Sequence, residues 1–205
     1  MISLIVDELR VDRGERRVLD GVSFTVDPGT ARAVTGPNGV GKSTLLRAIA
    51  GLASVESGTI TLQNWNEERA SAIHFVGHAD AVKPQLSVAD NAAFWCRWLG
   101  SPGPADEIDV RVEGALDRVG LLHLAETPAQ FLSQGQRRRL SLARLAMAPR
   151  PLWLLDEPTA GLDSASRAAF LAMMAGHIST GGLILAATHE PLGIDAVEDL
   201  RLIPA

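Results

Sequence analysis

Gly36-Pro37-Asn38-Gly39-Val40-Gly41-Lys42-Ser43-Thr44 sets three glycines, a lysine and two hydroxyls at the spacing of a phosphate-binding loop. In such a loop the glycines let successive backbone N–H groups converge on phosphate oxygens. The lysine bridges the β- and γ-phosphates, and the hydroxyl that follows it ligates Mg²⁺. Lys42 and Ser43 take those two roles. A second chemical cluster closes the apolar run Leu152-Trp153-Leu154-Leu155 with two acids, Asp156 and Glu157. Charges at the carboxyl end of a core strand lie where α/β sheets bind ligands. There Asp156 holds Mg²⁺ through its water shell, while Glu157 orients or deprotonates the attacking water. Phosphoryl hydrolysis needs little beyond that positioning and charge neutralisation. A pair of acids capping a helix is the plainer alternative.

A phosphate loop works only between a strand and a helix, and the flanks supply both. Residues 31–35 read as a buried strand, and residues 45–50 open a helix whose N-terminus faces the anion. Upstream, residues 2–28 alternate apolar and polar positions, with turn signals at Arg13-Gly14 and Asp27-Pro28-Gly29, which predicts an antiparallel β layer. Residues 58–62 and 73–76 predict two more short strands. From about residue 86 the pattern turns helical. Ser87-Val88-Ala89-Asp90-Asn91 is a helix start, followed by Phe94, Trp95, Trp98 and Leu99 at helical spacing. A Pro- and Gly-rich segment over 100–104 breaks that helix. Helical spacing returns over 112–119 and 134–147. The apolar runs 152–155 and 183–187 resemble parallel strands buried on both faces.

The organisation expected is one α/β domain over residues 1–205. Its nucleotide-binding core comes from 1–78 and 146–205, and a helical subdomain from 79–145. With 205 residues, 46% of them hydrophobic, the chain buries one proper core and is too short for two ATPase domains. Its formal net charge of -5 leaves no overall basic footprint, so no nucleic-acid partner is expected. The lone cysteine, Cys96, cannot form an intramolecular disulfide, and the opening residues Met1 to Asp7 lack a basic and then long apolar leader. A cytoplasmic protein is expected. No run approaches the ~20 apolar residues of a membrane span, so any membrane role comes through a partner. Lys42 and Lys83 are the only lysines in an arginine-rich chain, which makes the lysine of the phosphate loop conspicuous.

Leu132-Ser133-Gln134-Gly135-Gln136-Arg137-Arg138-Arg139-Leu140 lies shortly before the acidic strand. This run resembles the LSGGQ signature of ABC ATPases. It stands in order with the phosphate loop, Leu-Leu-Asp-Glu-Pro, Gly161-Leu162-Asp163, and Thr188-His189 after the last apolar strand. The resemblance implies the P-loop NTPase fold of ABC ATPases, with ATP and Mg²⁺ as cofactors. It also implies a head-to-tail homodimer in which the signature of one subunit closes over nucleotide held by the other. Ser133 and Gly135 then offer hydroxyl and backbone N–H donors to the γ-phosphate from a helix N-terminus, with Gln136 also among the nucleotide-binding residues, so one protomer lacks half of its charge stabilisation. By the same resemblance Asp163 contacts the opposing subunit and His189 senses the γ-phosphate. The remaining phosphate-loop residues, Gly36, Pro37, Asn38, Gly39, Val40, Gly41 and Thr44, line the nucleotide. The arginine run 137–139 is expected to be solvent-exposed, with occasional acidic partners.

Two positions depart from the family pattern. Family members usually stack an aromatic residue on adenine from the end of the first strand, yet this chain has no tyrosine. Arg13 occupies the corresponding place, and its planar guanidinium offers weaker and less selective stacking. Where the family has a glutamine near Mg²⁺ and the attacking water, Phe75-Val76-Gly77-His78 aligns His78. An imidazole there brings sensitivity to pH. The alternative is that His78 points away from the nucleotide.

The chain's brevity, Val-Gly-His at the glutamine position, Leu-Trp-Leu-Leu-Asp-Glu-Pro and Thr-His-Glu-Pro-Leu are together similar to the ATP-binding subunits of bacterial cytochrome c maturation systems, which are haem exporters. That resemblance implies a pair of these chains on a polytopic membrane subunit at the cytoplasmic face of the inner membrane. ATP hydrolysis there drives haem delivery or release of a haem-loaded chaperone. No direct haem binding is expected, since the histidines lack a Cys-x-x-Cys-His neighbour. Phe94-Trp95-Cys96-Arg97-Trp98 falls in the region that receives the membrane subunit in related transporters. It is read as buried subdomain core, with Trp95 or Trp98 as an interface anchor in the second reading. Another exporter, of drugs or lipids, and an accessory ATPase of iron–sulfur assembly are the alternative functions.

Overall fold

The computed structural model describes residues 1–100, 104–195 and 197–205. Most of the expected Pro- and Gly-rich break lies outside the described residues. Backbone proximity divides the chain into two compact units, one of residues 1–77, 150–158 and 173–205 and one of residues 78–149 and 159–172.

The first unit begins with the antiparallel layer that the alternation predicts. Strands β1 (Ser3–Arg13) and β2 (Arg16–Val26) form a hairpin closed by Gly14, whose φ of 65 suits a tight turn. Leu4, Val6, Leu9 and Val11 point into the core and meet Leu19, Phe24 and Val26 from the partner strand. The alternation slips at Glu8, which takes a left-handed φ of 47 at a bulge in the pairing. After β3 (Ala31–Thr35) and α1 (Lys42–Ile49), strand β4 (Ser57–Gln63) pairs with the other edge of β1. Gly58 is required there: a Cβ at this position would lie 2.5 Å from the Glu8 carbonyl oxygen.

The second sheet is parallel. It takes β5 (Ile73–Val76), β6 (Leu152–Asp156), β7 (Leu183–Ala187) and β8 (Val197–Arg201) in the order β5-β6-β7-β3-β8. Every residue of β6 and β7 is buried, which is why their sequences are unbroken apolar runs. Helix α1 buries Leu45, Leu46, Ala48 and Ile49 in the core shared with both sheets.

The second unit is helical and has its own core. Helices α2 (Val88–Trp98), α3 (Ala105–Arg118) and α4 (Gln134–Ala143) pack around Val88, Ala92, Cys96, Val112, Leu116 and Leu140. Ser87 caps α2 by accepting a hydrogen bond from the Asp90 amide. Helix α5 (Ser164–Ser179) starts in the second unit and ends in the first.

Two expectations for the helical region need correction. The aromatic run is not core throughout: Cys96 is fully buried, but Trp98 is 72% exposed and stacks on Phe94 at a centroid distance of 6.2 Å. The arginine run is a solvated face only in part: Arg137 is exposed and Arg138 has an acidic partner in Asp80, but Arg138 is not solvated. Three consecutive helical positions point in different directions, and one of them, Arg138, points inward and is only 4% exposed. Arg137 donates to the Leu132 carbonyl, and Arg139 to the carbonyls of Val119 and Gly120 just past the end of α3.

Candidate functional site

Strand register builds the site. Val34 of β3 pairs with Ala187 of β7, and Ala187 pairs with Asp156 of β6. The carboxyl ends of these three strands are therefore level, and the segments leaving them share one edge of the sheet. Those segments carry the phosphate loop, Thr188-His189 and Glu157.

The loop's shape depends on its glycines. Gly36 has φ 138 and Gly41 has φ 113, conformations that side-chain-bearing residues rarely adopt. A Cβ at Gly36 would sit 2.7 Å from the Leu202 carbonyl oxygen, and one at Gly41 would sit 2.8 Å from Leu19 Cδ2. Pro37, Asn38 and Gly39 form the exposed crest, while Val40 is buried beneath them. A shallow cleft of about 90 Å³ beside the crest is lined by Arg16, Arg17, Val18, Asn38 and Gly39 among others. Arg13 stands at the exposed end of β1, paired across the hairpin with Arg16.

Lys42 opens α1 and is buried. Its ammonium donates to the carbonyls of Gly36 at 2.9 Å and Pro37 at 3.3 Å, and its Nζ lies 3.3 Å from His189 Nε2. The same imidazole nitrogen lies 3.5 Å from Glu157 Oε1. A neutral ring with Nε2 unprotonated accepts from Lys42; a protonated ring pairs with Glu157 instead. Glu157 adopts a left-handed φ of 48, and its amide donates to the Ala187 carbonyl at 2.9 Å. Such backbone conformations in side-chain-bearing residues cluster at functional sites. Thr188 braces the histidine's turn, its hydroxyl donating to the Glu190 carbonyl and accepting from the Glu190 amide. Asp156 ends β6 in a buried position, whereas Ser43 is exposed and Thr44 half-buried in the first turn of α1.

The remaining candidates lie in the second unit. Ser133 caps α4 through a complete capping box: its hydroxyl accepts from the Gln136 amide at 3.2 Å, and its amide donates to Gln136 Oε1 at 2.8 Å. Gln136 is therefore held in place by the helix end itself. A Cβ on Gly135 would approach the Gly161 carbonyl oxygen to 3.0 Å, so the two motifs pack closely at this point. Asp163 caps α5, accepting from the Ser166 amide at 2.7 Å. That hydrogen bond is the main reason its carboxyl titrates below the ordinary aspartate range. His78 is exposed at the start of the second unit.

Sequence reasoning thus assembled Lys42, Glu157 and His189 from widely separated segments, and the fold places them in contact. It did not find the brace at Thr188 or the half-buried partner of Arg138, Asp80. The first had a signal, a hydroxyl directly before a functional residue at a strand end. The second had none, because an ion pair between positions 80 and 138 leaves no local pattern.

Comparison with known proteins gives concordant results. The family model described as ABC transporter matches residues 19–160. The cytochrome c biogenesis ATP-binding export protein CcmA of Nitrobacter winogradskyi is 50% identical over 196 residues, covering 95% of this chain and 94% of that protein. The protein of the same name from Mesorhizobium japonicum is 50% identical over 198 residues, covering 95% and 96%. Among solved structures, cbiO1 from Clostridium perfringens, part of the ABC transporter complex cbiONQ, superposes with a TM-score of 0.78 at 31% identity, covering 98% of this chain and 86% of that one.

Proposed function

The chain belongs to the ABC transporter family of ATPases, and we propose that it is the ATP-hydrolysing subunit of a membrane complex that exports haem, or releases a haem-loaded chaperone, for cytochrome c maturation. The observation that carries this reading is the similarity to cytochrome c biogenesis export proteins at 50% identity along 95% of the chain. The cluster of Lys42, Glu157 and His189 at the edge of the parallel sheet supports the ATPase chemistry.

In this reading the residues of the loop from Gly36 to Thr44 wrap the phosphates, and Lys42 leaves the carbonyls it now holds to bridge the β- and γ-phosphates. Glu157 takes or orients the proton of the attacking water, and His189 faces the γ-phosphate. The hydroxyl of Ser43 and the carboxylate of Asp156 are hard oxygen donors and suit Mg²⁺, which when bound neutralises charge on the phosphates. Arg13 stacks on the base. Ser133, Gly135 and Gln136 of a second copy complete the charge stabilisation, and Asp163 meets that copy at the same interface. His78 stands in for the usual glutamine beside the water.

The chain acts as one ABC domain, with 1–78 and 146–205 holding nucleotide and 79–145 as helical subdomain. No helix among the described residues is long and apolar enough to cross a membrane. In this reading the chain works as a head-to-tail homodimer held peripherally by a polytopic subunit on the cytoplasmic face of the inner membrane. It carries no haem or nucleic acid itself. Affinity capture of the tagged chain from detergent-solubilised membranes, followed by mass spectrometry, tests the assignment. A polytopic subunit of a cytochrome c maturation system is the expected co-purifying protein; an unrelated permease would replace the substrate, and soluble partners alone would overturn the transporter reading.

A further inference from the structure

The loop that carries His78 is pinned to the helical unit at successive points. Asp80 Oδ1 accepts from Arg138 Nη1 of α4 at 3.4 Å. One residue later Ala81 holds a left-handed φ of 53, and its carbonyl accepts from Trp95 Nε1 of α2 at 3.3 Å. Two residues further, the buried side chain of Asn91 accepts from the Lys83 amide at 2.8 Å and donates to the Lys83 carbonyl at 3.0 Å. The α2 tethers are neutral hydrogen bonds within one neighbourhood of the chain. The Asp80–Arg138 tie is different, because it runs to the helix whose first turn holds Ser133, Gly135 and Gln136.

The electrostatics make this tie demanding. Arg138 shares its surroundings with Arg144, also buried, whose guanidinium lies 4.9 Å from the centre of the Trp95 ring. Burial first, and the Arg138 charge second, push Arg144 down to about 10, while Asp80 acts in the opposite direction. Asp80 therefore acts on both buried guanidinium groups. A buried ion pair is weak evidence for stability, since apolar side chains of similar volume serve a core as well or better; its best-attested use is to fix register between elements.

We propose that Asp80 and Arg138 are positioning residues for ATP hydrolysis, forming a strut that sets the direction of His78 from the signature helix, so that loop and signature move as one piece. This rests on the role given to His78 under Proposed function. His78 lies two residues from the strut's end and is exposed; holding Asp80 holds the backbone from which His78 projects.

The test is steady-state ATP hydrolysis by the full-length chain carrying Asp80→Asn, Arg138→Lys and His78→Ala, singly and in pairs. Arg138→Lys keeps the buried charge but loses the planar fork, so it reports on geometry where Asp80→Asn risks misfolding. Each strut variant should lower kcat about tenfold or more, up to the ~10²-fold that a 1 Å misplacement costs. KM for ATP should stay within about twofold, since ground-state binding is untouched. In the His78→Ala background neither should cause a further loss. Full additivity on that background would overturn the strut and leave the His78 role standing. An unchanged kcat in His78→Ala itself would overturn the His78 role and the strut with it. A lowered melting temperature with kcat retained in both strut variants would reduce the pair to a packing feature and overturn the proposal.

Discussion

Lys42 Nζ lies 3.3 Å from His189 Nε2, joining the first residue of the phosphate-loop helix to a histidine 147 positions later in the chain. The pairing exists because β3 and β7 are adjacent parallel strands in register, so the segments that follow them emerge side by side. With Glu157 3.5 Å from the same nitrogen, a cation, an imidazole and a carboxylate occupy one edge of the sheet. Their ordering sets how each responds to substitution.

Glu157→Gln keeps the shape of the site and the left-handed backbone but removes the proton acceptor. ATP turnover should fall about 10²- to 10⁴-fold, the range of a lost general base, with nucleotide binding retained. Phosphate release and equilibrium binding of labelled ATP measure the two effects separately. Equal losses in both would place Glu157 in binding instead.

Gly36→Ala should destabilise the fold as well as weaken nucleotide binding. The new methyl would meet the Leu202 carbonyl oxygen at 2.7 Å, at a φ of 138. Backbone strain of this kind costs about 1–3 kcal/mol, so a lower melting temperature is expected even without nucleotide. Gly39→Ala, with open space around its Cβ but a φ of 78, should be the milder of the two.

His177 gives the fold a pH dependence of definite sign. Its ring stacks on Trp153 at 3.9 Å and Nε2 bonds with the Pro151 carbonyl at 3.1 Å, and burial lowers its pKa from 6.5. The unfolded chain therefore binds this proton more readily than the folded one. The stabilisation is complete above pH 6.5 and is lost as the pH falls below it through the folded-state value. Urea unfolding from pH 7.5 downward should show that decline, and His177→Gln should flatten the part due to this residue.

Trp98→Ala should leave the monomer folded, because the indole is 72% exposed and its ring contact is with Phe94, itself only partly buried. If Trp98 anchors the membrane subunit, co-purification should be lost while the melting temperature changes little, as large aromatics carry much of an interface's energy. Loss of folding would return Trp98 to a packing role.

The parts of this molecule legible in the sequence are those encoded locally. The phosphate loop declares itself by glycine spacing, β6 and β7 by unbroken apolar runs, and the antiparallel layer by alternation over its first residues. Helix α5 lacks such a signal: Ala165, Ala168, Phe170, Leu171, Met173 and Met174 spread small and apolar groups around it without a clear polar stripe. Strand β8 is an edge strand, Val-Glu-Asp-Leu-Arg, none of it fully buried, so its pattern resembles a loop. Arg138 was misread because three arginines in a row look like surface, and only the fold reveals which one faces Asp80. Contact between Lys42, Glu157 and His189 was inferable only through family resemblance; in the fold it follows from strand order.

The central claim is that ATP handled by this loop powers cytochrome c maturation. The most direct test is complementation of a strain deleted for the gene, reading haem-stained c-type cytochromes at matched protein levels. The account predicts that the wild-type chain restores them and that Lys42→Ala does not. Restoration by Lys42→Ala, or undiminished c-type cytochromes in the deletion strain, would contradict it.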